Sequence, residues 1–208
     1  MKKYIDFIIA GVLVVALVAI MALIKNGGIV NFDNNVFNLV TANENSFLEN
    51  MYRVFTFLGS TTFIVGACLV IFVLFIIIKK KEIGFVIVGS VVISTIVNNV
   101  IKLIFRRERP LVRRLVEEKS LSFPSGHTMA AVTLYGILIF FVMRSKLNQT
   151  AKIAISVVLG LLPICVAVSR IYLGAHFASD VIGAAVTSSA LLFVETYFIK
   201  KYYNKIVK

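Results

Sequence analysis

The chain has 208 residues, is 59% hydrophobic and only 15% charged, and sets 22 Lys and Arg against 10 Asp and Glu for a net charge of +12. A mean hydropathy of +0.94 excludes an ordinary soluble domain. The basic residues are split between connectors rather than gathered on one face, which argues against nucleic acid as a partner.

Spanning a hydrocarbon layer of ~30 Å takes about 20 apolar residues in a helix. Six runs meet or approach that length, at about 4–24, 54–78, 83–104, 127–143, 152–169 and 177–199. They predict an all-α, integral membrane bundle of six transmembrane helices, forming one membrane-embedded domain over residues 1–208. The first run follows Lys2 and Lys3 as a secretory leader would, but it is long and lacks a small-residue cleavage site, so it is read as a span. Between the first two runs, Val36, Leu39, Val40, Phe47, Leu48 and Met51 are spaced for one or two amphipathic helices in the interface.

Six spans put both termini on one side. The termini and the connectors at 79–81 and 144–152 hold Lys2, Lys3, Lys79, Lys80, Lys81, Arg144, Lys146, Lys152, Lys200, Lys201, Lys205 and Lys208. The stretch 26–52 on the other side has no Lys or Arg and carries Asp33, Glu44 and Glu49. Retention of positive charge in the cytoplasm then places the termini inside a multi-pass cell-membrane protein. The connector 105–119 breaks the pattern, because Arg106, Arg107, Arg109, Arg113, Arg114 and Lys119 would lie outside. Cations held there against the rule suit the binding of anions, with most of them forming a general surface for such ligands.

In the third run, Thr95, Asn98 or Asn99, Lys102, Arg106 and Arg109 follow helical steps of three and four, a polar stripe that must face the bundle interior. Pro110 disfavours helical geometry at Arg109, so the helix is expected to end there. Lys102 and Arg109 would then lie about 10 Å apart along the axis, flanking one phosphoryl group or spanning a diphosphate. Taken alone, both could equally be snorkelling cations at a span's end.

Pro124, Ser125, Gly126 and His127 immediately precede the fourth apolar run. The start of a helix presents unpaired N–H groups and partial positive charge to an anion, and Gly126 lets a ligand approach the backbone. His127 in the first turn would face that ligand, although the string by itself also fits a plain helix cap. Arg170 follows the fifth run, where its planar fork can meet phosphate oxygens. His176 and Asp180, four apart at the start of the sixth run, share one helical face. The carboxylate can fix the imidazole tautomer and leave the other ring nitrogen free to attack, or the two can be a structural pair. In the sixth run, Ser179, Gly183 and Thr187 make a small-residue face suited to close helix contact. Cys68 and Cys165 lie inside spans without partners at metal-ligand spacing and are read as packing residues.

Topology brings Lys102 to Arg109, Ser125 to His127, Arg170 and His176 to Asp180 to the same membrane face. In this order K-x6-RP, PSGH and SR-x5-H-x3-D resemble the three motifs of the type 2 phosphatidic acid phosphatase family, the lipid phosphate phosphatases. All motif positions match, and the likeness in span layout extends over most of the chain. Within the family the chain is similar to the small bacterial phosphatidylglycerophosphatase B or undecaprenyl pyrophosphate phosphatase type. The resemblance implies that Lys102, Arg109, Ser125, Gly126 and Arg170 bind phosphate, that His127 is the general acid, that His176 forms a phosphohistidine and that Asp180 orients it. It implies no metal and no other cofactor, and a lipid phosphate or diphosphate as substrate, which charge counting places at the extracytoplasmic face. The alternatives are phosphoryl or headgroup transfer between lipids, and a non-catalytic transporter of anionic lipids. Transporter sites lie near the midplane on interrupted helices, whereas these charges gather at one face.

Overall fold

A computed structural model describes residues 4–111, 115–118 and 120–206. Arg113, Arg114 and Lys119, together with Lys2, Lys3, Lys208 and the Lys205 side chain, lie outside what is described. All regular structure among the described residues is helical: α1 (Ile5–Lys25), α2 (Val30–Val40), α3 (Ser46–Phe57), α4 (Thr61–Ile77), α5 (Lys81–Phe105), α6 (Gly126–Arg144), α7 (Gln149–Tyr172) and α8 (Ala178–Ile206). Helices α1, α5, α6, α7 and α8 are each long and apolar enough to cross a membrane. The second span, expected as one run over 54–78, is broken: α3 and α4 meet at 47° across a short gap.

Gly59 sits in that gap. A Cβ there would lie 2.5 Å from Val166 Cγ1 and 3.1 Å from the His127 carbonyl, so only glycine lets the bend press onto α6 and α7. Ser60 then caps α4, its hydroxyl accepting from Phe63 N at 3.2 Å.

The main apolar core lies among α4, α5, α6 and α8, with Ile64, Ile87, Leu134, Ile137 and Phe140 buried together, and Cys68 packs within it. α1 lies along α8, where Phe7 meets Tyr197 at 4.4 Å between ring centroids and Asp6 pairs with Lys200 at 2.9 Å. This ion pair marks one end of the bundle. At the opposite end, α2 and α3 cover the tops of α7 and α8.

The amphipathic pattern at 30–51 does form two helices, but their apolar faces have protein partners. Val36, Phe37 and Val40 of α2 pack on Ile171, Ala178 and Val181, while Leu39 and Phe47 face outward. The small-residue face of α8 also departs from expectation. Gly183 makes room for the ring of Phe123, whose Cε2 lies 2.4 Å from where a Cβ would be, so it receives a loop side chain rather than a helix.

Candidate active site

The covered end of the bundle is built by the loop from 106 to 125, the start of α6, the end of α7 and the turn into α8. The polar stripe of α5 is real but runs through Ser90, Ser94, Asn98 and Lys102, all buried, while Thr95 and Asn99 are exposed. Asn98 anchors the loop before α6, its amide donating to the Pro124 carbonyl at 3.1 Å.

The helix does not continue to Pro110. It ends at Phe105, and Arg106 takes a left-handed conformation with φ of 51° that turns the chain back. Arg106 consequently leaves the stripe and is exposed, its Nε donating to the Leu103 carbonyl. Lys102 and Arg109 are not spread along one axis either. Arg109 NH2 donates to Ser120 Oγ at 2.9 Å and Lys102 Nζ lies 3.5 Å from the same oxygen, so both cations reach one point. Lys102 also donates to the Leu121 carbonyl. The reason is local: one residue at positive φ reverses the backbone, which helical spacing cannot foresee.

His176 lies in the turn between α7 and α8, ahead of the helix that carries Asp180 rather than on one helical face with it, and is 1% exposed. Arg109 NH1 approaches its Nε2 at 3.1 Å and also donates to the Ala175 carbonyl at 2.8 Å. A guanidinium only donates, so Nε2 is the acceptor and the ring proton sits on Nδ1. Nδ1 faces Ser122 Oγ at 3.4 Å and Asp180 Oδ2 at 3.5 Å. Burial pushes the imidazole down to about 4, opposed by the hydrogen bond and charge of Asp180 and assisted by Arg170 and Arg109. The ring is neutral near pH 7, with an unprotonated nitrogen aimed at a cation.

Asp180 has more partners than His176. Its Oδ2 accepts from Ser122 Oγ at 2.5 Å and from Phe177 N at 3.0 Å, and its Oδ1 accepts from Arg107 NH1 at 2.6 Å. Arg107 therefore belongs to a buried pair and not to a general anion-binding surface.

Arg170 lies inside the last turn of α7 rather than beyond it. It donates to Thr56 Oγ1 at 2.7 Å and pairs with Glu118, whose other oxygen is 3.8 Å from Arg109 NH2. The Arg170 Nε is buried with no acceptor among the described residues. Burial works against ionisation of Glu118, but Arg170, with His127 and Arg109, outweighs it and holds the carboxyl below its usual range.

Ser125 caps α6 as its sequence suggests, accepting from Thr128 N at 3.4 Å and Thr128 Oγ1 at 3.0 Å. Gly126 and His127 form the first turn and line a cavity of about 920 Å³ with Lys102, Glu118 and Ser120. The cavity continues as an apolar groove between α4 and α5, past Val65, Leu69 and Phe85, each more than half exposed. The structure thus brings the motif residues to one end of the bundle. Sequence reasoning missed Glu118, Ser120, Ser122 and Thr56, and it used Asp33 only as a charge. For Asp33 a signal existed, since a carboxylate at the i−3, i−4 and i−7 positions of Val36, Phe37 and Val40 lies on the apolar face and needs a partner.

Among the described residues, no group of three or more His, Cys, Asp or Glu converges as metal ligands do. Residues 83–204 match the PAP2 superfamily. Phosphatidylglycerophosphatase B of Bacillus subtilis is 30% identical over 156 residues, covering 74% of this chain and 76% of that protein. The crystal structure of a transmembrane PAP2-type phosphatidylglycerolphosphate phosphatase from Bacillus subtilis superposes with a TM-score of 0.86 at 26% identity, covering 92% of this chain and 96% of that one. LpxE of Aquifex aeolicus shares the fold with a TM-score of 0.63 at 23% identity, over 78% of this chain and 93% of its own. With its bundle, its motif residues at one end and these relatives, the chain belongs to the PAP2 superfamily as a multi-pass membrane phosphatase acting on lipid phosphates.

Proposed function

We propose that the protein hydrolyses the terminal phosphate of a lipid monophosphate or diphosphate, such as phosphatidylglycerol phosphate, phosphatidate or undecaprenyl diphosphate, through a phosphohistidine at the outer membrane face. The observation that carries this reading is the placement of the His176 Nε2 lone pair against Arg109, with the Nδ1 proton directed to Asp180 and Ser122. A phosphoryl group held by Arg109, Lys102 and the Arg170 Nε would meet that lone pair. The N–H groups after Ser125 supply further donors for its equatorial oxygens.

In the first step Nε2 bonds to phosphorus while the phosphorus–lipid oxygen bond breaks, and His127 gives its proton to the departing oxygen. The imidazole becomes a phosphoimidazolium, stabilised by Asp180. Water then attacks phosphorus, His127 takes its proton, and the phosphorus–nitrogen bond breaks to restore Nε2 and release phosphate. Glu118 and His127 line the same cavity, on the side where the leaving oxygen would depart. The groove between α4 and α5 suits an apolar tail that reaches the site sideways. Residues 1–208 act here as one domain, since α2 and α3 supply Asp33 and Thr56 to a site whose motifs lie within 83–204.

Purified protein should release phosphate from at least one of these three lipids, and excess EDTA should leave the rate unchanged, because charge stabilisation comes from arginine, lysine and helix N–H groups. Activity lost on chelation and restored by one divalent ion would overturn the assignment.

Sidedness is tested by labelling. Leu111 is 87% exposed at the site end, and Leu147 is 46% exposed at the opposite end. With Cys68 and Cys165 replaced, Leu111→Cys should react with an impermeant maleimide in intact cells and Leu147→Cys only after lysis. The reverse pattern would turn the site to the cytoplasm.

A further inference from the structure

We propose that Asp33 and Arg107 are positioning residues for the reaction, acting as a charge-balanced clamp that orients Asp180 and sets the negative charge His176 feels. The inference rests on the reading of His176 as nucleophile.

Asp33 is 3% exposed although it belongs to α2, outside all three motifs. Its Oδ1 accepts from Ser179 N at 2.8 Å, and its Oδ2 accepts from Ser179 Oγ at 2.7 Å and from Arg107 NH2 at 2.9 Å. Ser179 N is among the first-turn N–H groups of α8, which have no partner within their own helix. Asp33 therefore caps the helix that carries Asp180, and it does so from a different helix.

Arg107 spans the two carboxylates. Its NH1 donates to Asp180 Oδ1 at 2.6 Å and to Ser179 Oγ at 2.7 Å, and its guanidinium carbon lies 4.1 Å from the centre of the Phe177 ring. With Oδ1 held there, rotation of the Asp180 carboxylate is blocked. Oδ2 is left for Ser122, Phe177 N and the Nδ1 side of His176.

Charge gives the pair its second effect. Arg107 alone would neutralise Asp180 and weaken its hold on a phosphoimidazolium. Asp33 offsets Arg107, so the trio of two carboxylates and one guanidinium keeps one net negative charge beside His176. The other groups facing His176 are Arg109 and Ser122 from the loop, Arg170 from α7 and His127 from α6. They are common to wild type and variants, as is the ionisation of the substrate.

The test measures kcat, KM and the acid limb of kcat/KM with a short-chain lipid phosphate in detergent, for the wild type, Asp33→Asn, Arg107→Gln and Arg107→Lys. Each of the first two variants should lose kcat by ~10–100-fold with KM within about twofold, as loss of an orienting partner does. Their acid limbs should move in opposite directions. Arg107→Gln leaves Asp180 uncompensated, favours protonated His176 and moves the limb to higher pH. Asp33→Asn leaves Arg107 unopposed and moves it to lower pH. Arg107→Lys keeps the charge without the fork, so it should restore the wild-type limb and only part of kcat.

Limbs that move together, a loss confined to KM, or wild-type kcat in both variants would overturn the clamp. If Arg107→Gln does not fold, Asp33→Asn decides alone by the same two readings. His176→Ala is the control that separates the two levels: activity in that variant sinks the nucleophile reading. An inactive control with silent clamp variants sinks only the clamp.

Discussion

His176→Ala is expected to lower phosphate release on the order of 10⁴-fold or more, to background. Neither Ser122 nor Arg109, which contact the ring, can substitute for the lost nitrogen. Ser122 is committed to Asp180, and Arg109 has no lone pair to offer. The fold should survive, because Arg109 keeps its bond to the Ala175 carbonyl and Asp180 keeps Arg107, Ser122 and Phe177 N. The measurement is turnover on the most active lipid, with thermal unfolding of the same detergent-solubilised sample. A variant that melts like wild type and retains more than a small fraction of turnover would remove His176 from the nucleophile role.

Asp180→Asn should be the next most damaging change, with turnover falling by ~10²–10⁴-fold while remaining above that of His176→Ala. The amide can still accept from Ser122 or Arg107, so some orientation persists. What disappears is the charge that stabilises imidazolium and phosphoimidazolium. Without it the protonated ring is less favoured, and the acid limb of activity moves to lower pH, away from its wild-type position. Stability should fall as well, by about 1–3 kcal/mol, because Arg107 keeps one buried carboxylate instead of two. Wild-type turnover across the pH range would make the His176 and Asp180 pair structural.

The clamp on Asp180 changes how the arginine-rich connector is understood. Charge counting leaves that connector as an exception on the motif side of the bundle. Of its described arginines, Arg107 is spent on Asp33 and Asp180, Arg109 reaches His176, and Arg106 alone is exposed. Two of the three are held by the site itself, which gives a reason for cations to remain on that side whichever leaflet it faces.

Apolar run length is set by the bilayer and by backbone hydrogen bonding, so the all-helical membrane bundle was legible in composition and periodicity alone. So were the α6 cap at Ser125 and the nearness of His176 to Asp180, though not the helical face they were expected to share, because each depends on residues a few positions apart. Tertiary structure decided the rest. Arg106 at positive φ folds Arg109 back onto Lys102, and Gly59 breaks the second span so that α3 can deliver Thr56 to Arg170. Asp33 crosses 146 positions of chain to meet Ser179, a contact fixed by the docking of α2 on α7 and α8. Helical period and motif spacing describe neighbours along one element, whereas the partner of a buried charge is chosen by whichever element packs against it.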